Sequence, residues 1–301
     1  MIRALLAAAL AAIAPLPLAQ DAELAKLRAE WNAPAEPFRV VGPIHYVGTA
    51  GLSSFLITTR AGHVLVDGGM DESAPRIAAN VARLGYRMRD VRYILINHAH
   101  WDHAGGLAGL KRLAPRAVLI ASAPERPTLE LGRSPDRDDL SPFERVRVDR
   151  VVADKQSISI GGFRLTAHLT PGHTQGCTSW SIPFRDPRIG GRGLTALFAC
   201  SLTVAGQQLI VNPRYPEVVD DFRHSFALLD RMRADVFLTF HPEFFGMKEK
   251  RQAQLGGDVS AFVDPGELKR RLVTARTAFE TELKRQRRNP RVTVEPSPAN
   301  Q

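Results

Sequence analysis

One six-residue stretch, His98-Ala99-His100-Trp101-Asp102-His103, constrains this chain more than any other feature. The segment before it, residues 93–96, is apolar and partly β-branched, which is typical of a buried strand. After two glycines, Leu107, Leu110 and Leu113 recur at helical spacing. The stretch is therefore predicted to lie on a strand-to-helix turn, at the carboxyl end of a strand. Ligands commonly bind at such ends in α/β sheets.

The spacing of the polar side chains suits metal binding. In extended backbone, residues two apart point the same way, so His98 and His100 can hold one cation. Asp102 and His103, one turn further on, can reach a second cation. Imidazole and carboxylate groups are ligands that Zn²⁺ accepts. The alternatives for such a stretch are a solvated polar loop or a phosphate-binding turn.

Two further histidines each follow a β-like segment. His173 stands in the sequence Thr-Pro-Gly-His-Thr after residues 163–169, and His241 comes soon after residues 236–239. Either histidine alone is better explained as a surface or hydrogen-bonded side chain. Together with the first stretch, they give five histidines and one aspartate, which is enough for two sites of three ligands. Three protein ligands and one open position are the arrangement of catalytic zinc.

These motifs resemble those of the metallo-β-lactamase superfamily. The pattern HxHxDH, the sequence PGHT and a late histidine after a strand mark the superfamily as a whole. The segments Ser201-Leu202-Thr203 and Asn212-Pro213-Arg214-Tyr215 narrow the resemblance to the β-lactamase branch, and closer matching of all the segments points to subclass B3. Two earlier segments also match: Tyr46-Val47-Gly48-Thr49 and Leu65-Val66-Asp67-Gly68-Gly69-Met70. The resemblance covers about residues 25–290.

The resemblance implies a fold and a set of metal ligands. The fold is a four-layer αββα sandwich of the α/β (α+β) class, with the ions along the edge where strand ends meet. Two zinc ions are expected per chain. The ligands implied for the first ion are His98, His100 and His173. The ligands implied for the second ion are Asp102, His103 and His241.

The same resemblance implies roles around the ions. Asp102 and His103 are expected to be catalytic, while Ser201 and Thr203 are expected to contact the substrate carboxylate. The alternative for the two hydroxyl residues is a simple turn at a strand end. Asp67 is a candidate to orient a ligand histidine, since such histidines usually need a partner on the other nitrogen. A turn carboxylate is the alternative for it.

The implied activity is hydrolysis of the β-lactam amide of penicillins, cephalosporins and carbapenems, which would confer antibiotic resistance. The nucleophile would be a hydroxide shared by the zinc ions. The main alternative is another metallo-hydrolase of the same fold, a lactonase or a thioesterase. Those relatives usually carry a bridging aspartate near position 200, where this chain has Ala199-Cys200-Ser201. A non-enzymatic zinc- or nucleic-acid-binding protein is a weaker alternative.

The N-terminus and the cysteines predict export. Arg3 precedes an uncharged stretch rich in Ala and Leu, which predicts a signal peptide over residues 1–20 and a periplasmic mature protein. A single domain over residues 21–291 and a flexible tail over residues 292–301 are expected. In an oxidising compartment, the pair Cys177 and Cys200 suggests a disulfide, although two buried free thiols fit the sequence equally well.

The charge of the chain is concentrated near its end. The formal net charge is +9, and residues 267–291 have the pattern of an amphipathic helix with a basic outer face. Basic patches can attract nucleic acid, but the solvated face of a docked helix is the simpler interpretation. The expected partner is therefore a small-molecule β-lactam. Nucleic acid is not expected, nor is a membrane after signal cleavage, and the protein is expected to be a monomer.

Overall fold

The structure is a computed structural model that describes residues 16–289. The predicted tail over residues 292–301 and residues 1–15 of the predicted signal peptide lie outside the described residues. The helices are α1 Leu16–Trp31, α2 Ala74–Arg83, α3 Trp101–Ala104, α4 Leu107–Leu113, α5 Arg126–Leu131, α6 Val218–Asp230, α7 Met247–Leu255 and α8 Glu267–Arg288. The strands are β1 Phe38–Val41, β2 Ile44–Tyr46, β3 Phe55–Thr59, β4 Gly62–Val66, β5 Val91–Leu95, β6 Val118–Ser122, β7 Arg150–Val152, β8 Ser157–Ile160, β9 Phe163–Leu169, β10 Thr178–Arg185, β11 Gly193–Ala199 and β12 Val236–Thr239.

The strands form two sheets. The first sheet has the order β1-β2-β3-β4-β5-β6-β7, and the second has the order β12-β11-β10-β9-β8. Pairing in the first sheet is antiparallel from β1 to β4 and parallel from β4 to β7. In the second sheet, only the pair of β11 and β12 is parallel. The carboxyl ends of β5, β6, β11 and β12 are followed by segments that carry polar residues: His98, Glu125, Ser201 and His241, respectively.

The two faces of each sheet bury different cores. On β4, Val64 and Val66 belong to the core that the two sheets share, while Leu65 belongs to the core beneath α2 and α4. This alternation follows from the two-residue period of a strand. Helices α6 and α8 cover the outer face of the second sheet, through residues such as Phe222 and Phe279. The layers are therefore helix, sheet, sheet and helix, which confirms the predicted αββα sandwich.

The predicted elements agree with the structure in position and differ at their ends. Strands β9 and β12 have the predicted bounds, and α8 covers most of the predicted basic helix. Helix α1 begins at Leu16, within the last residues of the predicted signal peptide. Proline is tolerated in the first turn of a helix, so Pro17 does not prevent this early start. Within residues 16–289, no helix combines the length and the apolar character that crossing a bilayer requires.

The two cysteines form a disulfide between Cys177 and Cys200, so the two are not free thiols. Cys177 precedes β10 and Cys200 follows β11, which are neighbouring strands of the second sheet. The bond therefore joins the loop that carries His173 to the loop that carries Ser201. Disulfides persist in oxidising compartments, so this one supports the expectation of an exported protein.

Candidate active site

Six polar side chains from three separate segments meet at one edge of the sandwich. The stretch from His98 to His103 follows β5, His173 follows β9, and His241 follows β12. Their ligand atoms fall into two groups, and within each group the atoms lie within 4.8 Å of one another. The structure therefore brings together all six residues that the sequence proposed as metal ligands. The first group is His98, His100 and His173, and the second is Asp102, His103 and His241.

The first group is built around the fully buried ring of His98. The ring centroids of His98, His100 and His173 lie 4.6 to 4.8 Å apart. Nε2 of His173 lies 3.1 Å from Nδ1 of His100. Because His98 and His100 are two apart in extended backbone at the end of β5, their rings point to the same side, as the spacing predicted.

The second group is built around the carboxylate of Asp102. Its Oδ2 atom lies 3.0 Å from Nε2 of His103 and 3.5 Å from Nε2 of His241. Asp102 and His103 lie in the short helix α3, which begins directly after His100. The rings of His98 and His103 are 4.6 Å apart between centroids, so the two groups adjoin.

The donor atoms of these groups fit metal ions. Both ring nitrogens of His98 and Nδ1 of His103 are buried without a hydrogen-bond partner, which is costly for a polar atom unless another ligand satisfies it. The Nδ1–H group of His173 donates to the carbonyl of Thr203 at 2.9 Å, and that of His241 donates to the carbonyl of Gly51 at 2.7 Å. These bonds leave Nε2 of both rings free to bind a metal, which is the usual arrangement for ligating histidines.

Burial also sets the charge of the ligands. It lowers the pKa of His98 and His100 well below the usual value, and it lowers the pKa of His173 to about 3. Burial alone would raise the pKa of Asp102, but the imidazoles of His103 and His241 hold it well below its usual range. Neutral imidazoles and an ionised carboxylate are the forms that bind metal ions.

The predicted substrate contacts lie beside the first group. Thr203 lines the same pocket as the histidines, and Ser201 is buried behind it. The two hydroxyl oxygens are 3.0 Å apart, and the N–H of Thr203 donates to the Ser201 hydroxyl. Of these two residues, Thr203 therefore lines the pocket and Ser201 does not.

Asp67 acts on the backbone next to the ligands. Its Oδ1 atom accepts the N–H of Asn97 at 2.8 Å, at the residue before His98. Among the hydrogen bonds of the described residues, the predicted bond from Asp67 to a ligand imidazole does not occur. Burial raises the pKa of Asp67 to about 8, against the effect of this hydrogen bond.

The turn that contains Asp67 and Gly68 packs closely against the junction of α3 and α4. A Cβ on Gly106, in that junction, would lie 2.2 Å from the Gly68 carbonyl oxygen, so this close approach requires glycine at position 106.

Aromatic side chains wall the pocket. Trp101, Phe240 and Phe244 line it together with the ligands. Trp31, at the end of α1, stacks on Trp101 with 6.0 Å between ring centroids and lies 4.8 Å from the ring of His241. Trp31 was missed because it is far from the motif in sequence.

The comparisons with known proteins agree with this geometry. The family model described as the metallo-beta-lactamase superfamily matches residues 48–186. A solved metallo-β-lactamase of Cronobacter sakazakii with an HARLDQ motif is 42% identical, with a TM-score of 0.81, over 87% of this chain and 99% of that one. A solved subclass B3 metallo-β-lactamase of Bradyrhizobium japonicum is 40% identical, with a TM-score of 0.80, over 85% and 97%. This chain belongs to the subclass B3 metallo-β-lactamases.

Curated relatives match this B3 metallo-β-lactamase over shorter segments, and the chain spans only about a third of their length. One of them, hydroxyacylglutathione hydrolase of Rhodopseudomonas palustris, is 37% identical over 34% of this chain and 32% of the other. The Cronobacter motif HARLDQ also differs from HAHWDH here. It has Arg at the position of His100 and Gln at the position of His103. Both positions in the present chain therefore carry an imidazole.

Cys200 is not available as a metal ligand in this B3 metallo-β-lactamase. Both cysteine sulfurs lie close to His98, and the three residues form a third group with metal-binding spacing. The two sulfurs are, however, joined in the disulfide, so they offer no thiolate. The third place of the second group is filled by His103 instead.

Two charged residues that the sequence analysis missed brace the loops of the site. The guanidinium of Arg137 is buried, and it donates to Oε1 of Gln207 at 3.0 Å and to the carbonyl of Ala205 at 3.1 Å. It also forms an ion pair with Asp139. The loop over residues 132–139 is thus tied to the loop that carries Thr203.

Glu125 is the second brace. Its carboxylate accepts the N–H of Ala99 at 3.0 Å and the hydroxyl of Thr174, so it joins the loop of His98 and His100 to the loop of His173. Burial raises the pKa of Glu125 to about 7, against the effect of these two hydrogen bonds. An acidic residue soon after β6, at the carboxyl end of a parallel strand, is the signal that could have identified it.

Replacing Glu125 with Ala is expected to destabilise the protein and to weaken metal binding. The change leaves the N–H of Ala99 and the hydroxyl of Thr174 without their acceptor, at a cost of about 1–3 kcal/mol for each buried group. Metal affinity is expected to fall roughly 10- to 100-fold, as for lost support of a ligand. Urea unfolding and competition with a chromogenic chelator measure the two effects. Glu125→Gln keeps one acceptor oxygen and should lie between wild type and alanine.

A surface glutamate provides the control for this prediction. Glu36 pairs with Arg83, and its side chain is 77% exposed, so Glu36→Ala should change neither stability nor metal affinity appreciably. Equal metal affinity in Glu125→Ala and Glu36→Ala would contradict the role given to Glu125.

Proposed function

We propose that this chain is a periplasmic, zinc-dependent β-lactamase that hydrolyses the ring amide of β-lactam antibiotics. The observation that carries the proposal is the pair of adjoining three-residue ligand groups, which is the arrangement of a two-metal hydrolytic site. The one-letter sequence HAHWDH and the similarity to B3 enzymes over nearly their whole length support the same activity.

The proposed metal ions are two zinc ions per chain. The first would be held by His98, His100 and His173, and the second by the group built on Asp102. Imidazole and carboxylate donors of this kind suit zinc. When bound, zinc supplies a Lewis acid for the lactam carbonyl and a nucleophilic water that is active near neutral pH.

The remaining residues of the site bind and orient the substrate. The Thr203 hydroxyl faces the pocket and, backed by Ser201, contacts the substrate carboxylate. The Thr203 carbonyl holds the His173 ring through its Nδ1–H group, so one residue positions both substrate and ligand. Phe240 and Phe244 exclude water from one side of the reacting ring. Asp102 and His103 are the catalytic residues proposed on the leaving-group side.

No serine nucleophile is proposed. Thr203 is the one hydroxyl residue among the described residues that line the pocket, and the nearest imidazole, His173, bonds to its carbonyl instead of its hydroxyl. Activation of a side-chain hydroxyl needs an adjacent base on that oxygen. The water supplied by the metals is therefore the proposed nucleophile.

Substrate preference tests the proposal. Purified mature protein with added zinc is mixed in turn with a chromogenic cephalosporin, an acyl homoserine lactone and a glutathione thioester. The expected result is efficient hydrolysis of the cephalosporin and little of the other two. The disulfide at Cys200, where other hydrolases of this fold are expected to have a bridging aspartate, supports this order. A larger kcat/KM for the lactone or the thioester would replace the proposal with that activity.

A further inference from the structure

A second and larger cavity lies beside the metal pocket. It has a volume of about 730 Å³ and lies between the loop that follows β11 and helix α8. Phe237, within β12, and Phe240, directly after β12, form part of its wall. A volume of this size is typical of small-molecule sites. The pocket among the metal ligands has a volume of only about 30 Å³, so it cannot hold a bulky substituent of a substrate.

The two cavities adjoin. Thr203, Ala205, Phe240 and Phe244 line both of them. A group carried past these four side chains would therefore reach the larger space. The larger cavity is thus the immediate neighbour of the candidate active site.

The face of α8 that lines the cavity explains its size. Thr274, Ala275, Ala278 and Thr281 present short side chains at helical spacing towards the space. Longer side chains at these positions would fill it. Ala278 is exposed, which shows that nothing else in the described structure packs on it.

The chemistry of the walls is mainly apolar. The two arginines at the ends of the helical face are both engaged with acids: Arg285 with Glu282, and Arg271 with Glu267. Because these ion pairs satisfy the charges, the interior favours an apolar group over an ionic one. Aromatic side chains on the opposite wall favour a flat or ring-bearing group.

We propose that this cavity is a substrate subsite that binds a large apolar substituent carried next to the ring carboxylate of the β-lactam. The proposal rests on the proposed function. Thr203, the expected contact of the carboxylate, lies on the shared wall, so the ring atom next to the carboxylate is expected beside that wall. A group attached to that atom would extend across the wall into the larger cavity.

Filling the cavity from α8 tests the subsite. Ala278→Phe places a ring in the space, and because Ala278 is an exposed position of α8, the change should leave the helix intact. Two cephalosporins that share one acyl side chain are compared, one with a methyl group and one with an arylthiomethyl group next to the carboxylate. The ratio of kcat/KM, aryl over methyl, is expected to fall about 10-fold in the variant, the scale at which a hydrophobic pocket discriminates. Ala278→Leu fills less space and should give an intermediate ratio.

Val273→Phe is the matched control. Val273 lies on the same helix, is 65% exposed and does not line the cavity, so its replacement should leave the ratio at the wild-type value. A wild-type ratio in Ala278→Phe would overturn the subsite. A second pair of cephalosporins, differing only in the acyl side chain, should not respond to Ala278→Phe; a response there alone would overturn the stated orientation. If wild type hydrolyses no cephalosporin, the proposed function is wrong and the subsite with it. If wild type is active but the ratio does not change in Ala278→Phe, only the subsite is wrong.

Discussion

Removal of bound metal is expected to reduce hydrolysis of a chromogenic cephalosporin to the uncatalysed rate. The six side chains at the sheet edge would hold the ions that supply the reactive water, and the described lining of the pocket offers no activated hydroxyl in their place. Dialysis against a chelator, followed by elemental analysis, gives protein of known zinc content. Turnover should then rise with zinc added back, up to two ions per chain.

The same preparations should differ in stability. A ligand that binds only the folded chain stabilises it by RT ln(1 + [L]/Kd), or about 2.7 kcal/mol at one hundred times Kd. Without metal, the buried ring nitrogens of His98 and the Nδ1 atom of His103 would have no partner. The melting temperature should therefore fall with the chelator and recover with zinc. Full turnover in protein without zinc would refute the metal-dependent mechanism.

Replacing His103 with Ala is expected to weaken the second metal site and to lower turnover at least about 10-fold at limiting zinc. His103 is buried, and its Nε2 atom lies 3.0 Å from Oδ2 of Asp102. Its loss leaves that group with one carboxylate and the single imidazole of His241. Stepwise titration with zinc in the presence of a competing chelator should show one tight site retained and one weakened.

His224 provides the control for this prediction, because it is exposed and lies outside both ligand groups. His224→Ala should keep the zinc stoichiometry and turnover of wild type. Excess zinc should partly restore His103→Ala, since a weakened site can still be filled at higher concentration. Wild-type turnover and two tight sites in His103→Ala would show that His103 is not a ligand.

The metal-binding groups could be predicted because their positions obey simple rules. A two-residue period places His98 and His100 on one side, and the ends of strands place His173 and His241 near them. The layer order followed from the resemblance of the motifs. These are features that a sequence records locally.

The roles of Glu125 and Arg137 in holding the loops of the site together could not be predicted, because their hydrogen bonds join residues that are distant in sequence. Glu125 reaches Ala99 across 26 residues and Thr174 across 49, and Arg137 reaches Gln207 across 70. No period or motif records such contacts; they appear only when the loops are placed in space. The cavity beside α8 was missed for a similar reason, since its size depends on short side chains opposite Phe240.

The docking of α1 matters for anyone preparing this protein. Trp31, the last residue of α1, packs against the rings of Trp101 and His241. Its carbonyl accepts hydrogen bonds from the Thr49 hydroxyl and from the N–H of Gly51. The carbonyl of Gly51 in turn accepts the hydrogen bond that orients His241. The end of α1 is thus part of the wall of the pocket that holds the candidate metal ligands. Shortened expression versions should retain Trp31, and affinity tags belong at the opposite terminus.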